Sequence, residues 1–310
     1  MYPLAISTIN LTRDFKTVRA VDRLSLDVPA GIVCGFLGPN GAGKTTTISL
    51  LLGILEPTWG EARVLGFDTR SQSGEIRTKA GALFEHHGLY ERLTVEENLD
   101  FYGRVWCIPA KERSARIHEL LTRVDLWDRR KERVVTLSRG MKQKLAVSRA
   151  IFHRPSLLFL DEPTAGLDPM AATALRNDIA DLVKKEGMTV FLTTHNLAEA
   201  EKLCSLVGVI SRGKLLTVGH PDALRARAGK TRVEVFGRSF TETAVAKIQA
   251  FSGVQAVTVT DSRLDITLAG DMPTAPLVRL MVEEGIEIEE VRRGAASLEE
   301  AFLKLMENDQ

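Results

Sequence analysis

The stretch GIVCGFLGPNGAGKTT, Gly31–Thr46, decides the fold of this chain. It begins as an apolar run of β-branched and aromatic residues, which predicts a buried strand. The apolar sequence TTTISLLLGIL follows and predicts a helix. The turn between them fits the pattern G-x-x-x-x-G-K-[ST], and a strand before it with a helix after it is the context that this motif requires. A chance glycine-rich turn is therefore the weaker interpretation, and the stretch predicts a phosphate-binding loop.

Each part of this loop has a chemical reason. Glycines let the backbone curl so that successive N–H groups face a phosphate. The positive end of the helix dipole strengthens this attraction for the phosphate. Lys44 is expected to contact the β- and γ-phosphates, and the Thr45 hydroxyl is placed to bind Mg²⁺. The residues expected to contact nucleotide are Gly38, Pro39, Asn40, Gly41, Ala42, Gly43, Lys44, Thr45 and Thr46.

A second motif, LLFLDEP, Leu157–Pro163, ends an apolar run with two acidic residues. Asp161 lies where a second Mg²⁺ ligand belongs. Adjacent residues at a strand end point in different directions, so Glu162 can face an attacking water as general base. An acidic pair that merely caps a strand is the alternative, and the phosphate loop disfavours it. Together the two motifs predict a site that hydrolyses a nucleoside triphosphate.

Composition limits the remaining classes of protein. The chain has 310 residues, 44% hydrophobic and 26% charged, with a formal net charge of +1, so charge gives no argument for nucleic acid. Three scattered cysteines predict reduced, buried thiols. We find neither a signal pattern nor an apolar run that could span a membrane, so we expect a cytoplasmic chain.

The pattern changes along the chain. Residues 1–222 alternate short apolar runs with helical patterns, which predicts an α/β domain with a largely parallel sheet. A mainly helical subdomain is expected at about 86–150. Residues 223–310 follow the order βαββαβ with a last helix, which predicts a separate small α+β domain.

Further motifs complete a recognisable set. LSRGMKQKL (137–145) precedes the strand that ends at Asp161, AGLDP (165–169) follows it, and TTH (193–195) ends the next strand. The chain therefore carries a phosphate loop, a signature, a carboxylate strand, an aspartate turn and a histidine, in this order. A chain with these motifs in this order resembles the ATP-binding subunit of ABC transporters. The resemblance covers most of residues 4–220 and implies a P-loop ATPase fold with ATP and Mg²⁺ as cofactors.

The resemblance also implies a shared active site. In this family two subunits pair head-to-tail, and each ATP lies between the phosphate loop of one subunit and the signature of the other. Ser138 and Gly140 would then contact the γ-phosphate of the partner's ATP. His195 would contact the γ-phosphate in its own subunit, and Asp168 would couple the two sites. Phe15 matches the aromatic residue that stacks on adenine.

Two positions depart from the family pattern. The usual signature LSGGQ is LSRGM here, with Arg139 and Met141, although Ser138 and Gly140 are retained. We expect the Arg139 side chain to face solvent; a charge placed near the trapped ATP is the alternative. Glu85 stands where the family has a glutamine, and a glutamate there can bind Mg²⁺ but adds negative charge beside the phosphates.

The stretch 84–106 gathers five aromatic residues, which serve either the core of the helical subdomain or a surface that receives a membrane subunit: Phe84, Tyr90, Phe101, Tyr102 and Trp106. ERLTVEENL and the ending SLEEAFLKLM resemble the ABC-2-type exporter branch. The resemblance implies an ATPase at the inner face of the cell membrane, working as a homodimer or heterodimer with membrane-spanning permease subunits. Two alternatives stay open: an ABC-type ATPase acting on ribosomes or nucleic acid, and a regulatory module with weak turnover.

Overall fold

The computed structural model describes residues 3–228, 232–260, 262–269, 272–294 and 298–307. The chain divides into two compact units, Met1–His220 and Pro221–Gln310. Each unit has its own buried core.

The first unit contains ten strands and seven helices among its described residues. The strands are β1 (Leu4–Phe15), β2 (Val18–Pro29), β3 (Val33–Leu37), β4 (Trp59–Val64), β5 (Phe67–Asp68), β6 (Ala80–Leu83), β7 (Leu157–Asp161), β8 (Thr189–Thr194), β9 (Leu206–Ser211) and β10 (Lys214–Gly219). The helices are α1 (Lys44–Leu51), α2 (Ser73–Lys79), α3 (Val95–Val105), α4 (Ala110–Arg123), α5 (Arg139–Ala150), α6 (Pro169–Glu186) and α7 (Leu197–Leu203).

A six-stranded sheet with the order β10-β9-β3-β8-β7-β6 forms the centre of this unit. All its neighbours pair in parallel except β9 and β10, which form an antiparallel pair. The three neighbouring strands β3, β8 and β7 end at the same edge, so the segments that follow them come together there. Ligands of parallel α/β sheets bind at this carboxyl edge. The expected layered α/β fold is confirmed.

Aromatic packing holds these strands in place. Phe191 on β8 lies between Phe36 on β3 and Phe159 on β7, with ring centroids 5.4 and 5.8 Å away. All three side chains are fully buried. Each such burial contributes about 1.5–3 kcal/mol relative to an exposed side chain. The strand ends that carry the polar residues are therefore fixed by a dense core beneath them.

A second sheet of the first unit was not expected from the sequence. It is antiparallel, with the order β2-β1-β4-β5. The long strands β1 and β2 pair with several register shifts, and the alternation of buried and exposed residues is irregular along β1. This sheet packs its apolar side chains into the same core as the six-stranded sheet.

The helices α3, α4 and α5 fall within the stretch expected to be helical. Thr94 and Glu97 form a reciprocal capping box at the start of α3. Of the five aromatic residues, Phe84 packs against the core, whereas Tyr90 and Phe101 remain exposed and contact each other edge to face at 4.8 Å. The cluster therefore divides between core and surface.

The second unit is a small two-layer α+β structure, as expected. Its elements are α8 (Pro221–Ala228), β11 (Arg232–Arg238), α9 (Glu242–Gln249), β12 (Val254–Thr260), β13 (Arg263–Leu268), α10 (Ala275–Glu283), β14 (Glu287–Gly294) and α11 (Leu298–Glu307). The strands form an antiparallel sheet with the order β12-β13-β11-β14. Residues of β11 and β13 share one apolar core with α9 and α10.

The cysteines differ from the expectation at one position. Cys34 and Cys204 are buried, and burial raises the pKa of the Cys204 thiol to about 12. Cys107 is exposed, so the expectation of a buried thiol is wrong there. It lies in the turn after α3 with a positive φ of 55°, where the chain leaves the helix at the surface.

Candidate functional site

A cavity of about 640 Å³ lies at the carboxyl edge of the six-stranded sheet. The loops that follow β3, β7 and β8 all contribute to it. Ten of the residues expected at the site line this cavity: Asn40, Gly41, Gly43, Lys44, Thr45, Thr46, Glu85, Asp161, Glu162 and His195. The structure thus brings together residues that are more than a hundred positions apart in the chain.

The loop between β3 and α1 depends on glycine at specific points. Gly43 has φ of 106°, and a Cβ there would lie 2.3 Å from the carbonyl oxygen of Ala20. A Cβ on Gly38 would lie 2.4 Å from the carbonyl oxygen of Ile210. No side chain fits at such distances, so only glycine allows this loop to pass so close to its neighbours. The loop leads directly into the N-terminus of α1, where backbone N–H groups can bind phosphate.

The Lys44 ammonium group is 6% exposed and already has protein partners. Its Nζ donates hydrogen bonds to the carbonyl oxygens of Gly38 at 2.7 Å and Pro39 at 3.3 Å. Its Nζ also lies 3.0 Å from Glu162 Oε1, an ion-pair distance without the angle of a hydrogen bond. The positive charge of the loop and the expected general base therefore neutralise each other in this state.

Two of the three expected magnesium ligands, Thr45 and Asp161, are in contact. Thr45 Oγ1 donates a hydrogen bond to Asp161 Oδ2 at 2.6 Å. The other carboxylate oxygen, Oδ1, accepts from Thr193 Oγ1 at 2.5 Å, which fixes the orientation of the carboxylate. A hydroxyl and a carboxylate are the hard oxygen ligands that suit Mg²⁺. These residues therefore fit the ion that the sequence implies.

Glu162 adopts a backbone conformation that is rare for residues other than glycine, with φ of 51°. Its N–H donates to the carbonyl oxygen and to Oγ1 of Thr193, both at 3.1 Å, which holds the turn. Its Oε2 lies 2.9 Å from Nδ1 of His195. The carboxylate and imidazole together can position a water molecule and accept its proton.

Seven expected site residues are not part of the cavity lining: Gly38, Pro39 and Ala42 of the phosphate loop, and Phe15, Ser138, Gly140 and Asp168. Phe15 is 39% exposed at the end of β1, and the guanidinium of Arg13 lies 4.6 Å from its ring centroid. Ser138 caps α5 by accepting from the N–H of Met141, and Gly140 lies in the first turn of that helix. Asp168 caps α6 by accepting from two backbone N–H groups.

The two departures from the family pattern have different surroundings. Glu85 lines the cavity and is exposed. Arg139 is exposed as well, but its Nη2 donates to the carbonyl oxygen of Ala165 at 2.9 Å. The exposure agrees with the expectation that Arg139 faces solvent, and the hydrogen bond adds a contact with the loop that follows Glu162.

Sequence reasoning missed several residues around the site. Val18 and Arg19 at the start of β2 and Arg212 in the turn after β9 line the cavity, but they carry no motif. Glu199 on α7 is buried and accepts a hydrogen bond from Thr164 Oγ1. Burial raises the pKa of Glu199, and the bond from Thr164 partly opposes that shift. The sequence signal for Glu199 is its position three residues after Asn196, the residue that caps α7.

Comparison with known proteins agrees with this arrangement. The family model described as ABC transporter matches residues 21–165. The bacitracin transport ATP-binding protein BcrA of Bacillus licheniformis is 36% identical over 97% of both chains. The daunorubicin resistance ATP-binding protein DrrA3 of Streptomyces coeruleorubidus is 36% identical over 100% of this chain and 98% of its own.

A third relative and a solved structure extend the comparison. The linearmycin resistance ATP-binding protein LnrL of Bacillus subtilis (strain 168) is 32% identical over 96% of both chains. A solved structure of an ATP-binding subunit of an ABC transporter has a TM-score of 0.65 and 30% identity, covering 72% of this chain and 92% of its own. Within the described residues, no helix has the length and apolar character needed to cross a membrane. This chain belongs to the ABC transporter family as an ATP-binding subunit of the ABC-2-type exporter branch, and it is an ATPase.

Proposed function

We propose that two copies of this chain pair head-to-tail and hydrolyse ATP in two shared sites. One observation carries the proposal. Among the described residues, the cavity lining includes the phosphate loop, Glu162 and His195, but neither Ser138 nor Gly140. These two residues are at the N-terminus of α5, where free backbone N–H groups favour an anion. An ATP bound to one chain would leave its γ-phosphate available to the α5 N-terminus of a second chain.

Each residue of the site has a role in this proposal. ATP replaces Glu162 as the partner of Lys44, which releases the carboxylate to face the attacking water. Glu162 accepts the proton of that water. His195 contacts both the carboxylate and the γ-phosphate and holds them in fixed positions relative to each other. Thr45 and Asp161 would hold Mg²⁺, which neutralises phosphate charge when bound. Phe15 stacks on the adenine, and Asp168 links the two sites across the interface.

We further propose that this ATPase drives export through separate membrane-spanning subunits at the inner face of the cell membrane. The full-length similarity to proteins named for bacitracin transport and for daunorubicin resistance supports an antibiotic-like cargo. The exposed aromatic pair Tyr90 and Phe101 supports a docking surface for a permease, because exposed aromatic side chains are frequent at binding hot spots. ATP closes the dimer, hydrolysis opens it, and the permease follows that motion.

Glu162→Gln provides the test, because it removes the general base and should trap the closed dimer. The variant is expressed in its native host, and membranes are solubilised with ATP and Mg²⁺ present. We expect doubling of the particle mass in ATP and co-purification of a multi-span membrane protein in stoichiometric amount. The control is Glu162→Gln with Ser138→Arg, which keeps the phosphate loop but blocks the partner's contact. Recovery from the soluble fraction with ribosomes or DNA would overturn the proposal.

A further inference from the structure

The first turns of α5 contact the loop that follows Glu162 in the same chain. Arg139 Nη2 donates to the carbonyl oxygen of Ala165 at 2.9 Å, and Gln143 Nε2 donates to the carbonyl oxygen of Pro163 at 2.5 Å. Arg139 and Gln143 are four residues apart and therefore lie on one face of the helix. Two hydrogen bonds thus connect this face with alternate residues of the loop.

The contact of Arg139 depends on a glycine in the loop. Gly166 has φ of 68°, and a Cβ there would lie 2.2–2.5 Å from three atoms of the Arg139 guanidinium group. The planar guanidinium therefore lies directly against the Gly166 backbone, where no other residue would leave room for it. Arg139 and Gly166 together form a fitted contact, and this distinguishes Arg139 from an arginine that only extends into solvent.

The loop held in this way connects two functional positions. Glu162 lies at its beginning in the rare positive-φ conformation, and the N–H of Ala165 donates to the Glu162 carbonyl oxygen at 3.1 Å. Ala165 also lines the cavity. Asp168, at the other end of the loop, caps α6. Any displacement of Ala165 therefore reaches the backbone of Glu162 through a single hydrogen bond.

We propose that Arg139 is a positioning residue that ties the loop 163–166, and through it Glu162, to the signature helix α5 of its own chain. Its guanidinium acts on its own loop and is not a ligand of the partner's ATP. When the α5 N-terminus closes on the ATP of a partner chain, the bound loop moves with it and sets Glu162 for hydrolysis. This last step rests on the proposed head-to-tail pairing, whereas the contact itself exists within one chain.

The test begins with the nucleotide-free, full-length chain. Amide hydrogen exchange is compared in the wild type, Arg139→Ala, Arg139→Lys and the control Arg129→Ala, which removes an exposed arginine that pairs with the exposed Glu132. Because one solvent-exposed hydrogen bond is lost, we expect peptides covering 163–168 to exchange about three- to tenfold faster in Arg139→Ala. Arg139→Lys, which can still donate to Ala165, should restore part of the protection. The phosphate loop should exchange as in the wild type.

Steady-state kinetics then separate positioning from binding. We expect Arg139→Ala to lower kcat about three- to tenfold while the dissociation constant for ADP stays within about twofold of the wild type, because the phosphate loop is untouched. Lysine should recover part of kcat, and Arg129→Ala should match the wild type. A fall in kcat with unchanged exchange at 163–168 would overturn the inference, as would faster exchange with unchanged kcat.

The two proposals fail in different ways. Exchange is measured without nucleotide, so it responds to the Arg139 contact whether or not two chains pair. If Glu162→Gln does not dimerise in ATP, the proposed function fails while the exchange result still decides whether Arg139 holds the loop. If Arg139→Ala lowers ADP affinity in proportion to kcat, Arg139 acts on the nucleotide, and the positioning role is wrong.

Discussion

Replacing Glu162 by Gln should tighten the binding of ADP, although ADP cannot be hydrolysed. The reason is the competition for Lys44. In the structure the Lys44 Nζ lies 3.0 Å from Glu162 Oε1, and these side chains are only 6% and 17% exposed. A phosphate that binds Lys44 must replace this carboxylate. The same carboxylate then repels the phosphate, so removing its charge helps binding in both steps.

The distance sets the size of the effect. Two unit charges 3.0 Å apart attract each other by about 1.4 kcal/mol at a dielectric constant of 80 and by about 5.5 kcal/mol at 20. The glutamine amide keeps a dipole near Lys44, and water reaches an open cavity, so most of the upper figure is lost. A net gain of about 1–2 kcal/mol is reasonable, which corresponds to about 5- to 30-fold tighter ADP binding.

Isothermal titration of ADP into the wild type and Glu162→Gln measures this difference directly. Glutamine can still accept a hydrogen bond from His195, so the turn geometry is retained. Glu162→Asp is the matched control, because it keeps the charge but shortens the reach to Lys44, and it should gain less than Glu162→Gln. Equal or weaker ADP binding by Glu162→Gln would refute the reasoning, because a carboxylate that neutralises Lys44 cannot be removed without a change in affinity.

Three further predictions concern thermal stability, nucleotide binding and thiol reactivity. Burial raises the pKa of Glu199 above its ordinary 4.5, so the folded state favours the protonated carboxyl group. At higher pH the carboxylate is charged, and its burial then destabilises the folded state. Glu199→Gln should therefore raise Tm at pH 7.5 by on the order of 2 °C, a gain that should disappear when scanning calorimetry is repeated below pH 4.5. Gly43→Ala should abolish ADP binding in the same titration, since its Cβ would lie 2.3 Å from the Ala20 carbonyl oxygen; retained binding would contradict the loop geometry. Mass spectrometry after iodoacetamide at pH 8 should find Cys107 modified and Cys204 unmodified until the protein is unfolded.

The centre of the site could be predicted from the sequence because its residues are fixed by local chemistry. The phosphate loop needs glycine where the backbone has positive φ, so its pattern is visible in a short stretch. Asp161 and Glu162 end a fully buried strand, and such strands are short apolar runs that the sequence displays directly. Parallel pairing of β3, β8 and β7 then brings these segments to one edge without further information.

The rest depends on contacts between distant segments. The antiparallel sheet was missed although Leu24–Val28 of β2 alternates buried and exposed residues, because the alternation along its partner β1 is irregular. Arg19 lines the cavity from the start of β2 and Arg212 from the turn after β9, and neither position has a sequence signal that distinguishes it from other surface positions. The contact of Arg139 arises only when the loop after β7 returns to α5, so no spacing within the sequence could indicate it.

The two departures from the family pattern are best understood together. Glu85 replaces a neutral glutamine and Arg139 replaces a neutral glycine, so one adds a negative charge and the other a positive charge. Glu85 lines the cavity, and Arg139 binds the carbonyl oxygen of Ala165, which lines it as well. The positive charge of Arg139 also reaches the loop that carries Glu85, because it helps to lower the pKa of His87, although burial of that histidine contributes more. Both departures therefore bear on the same cavity: Glu85 adds a negative charge to its lining, and Arg139 holds Ala165, which is part of that lining.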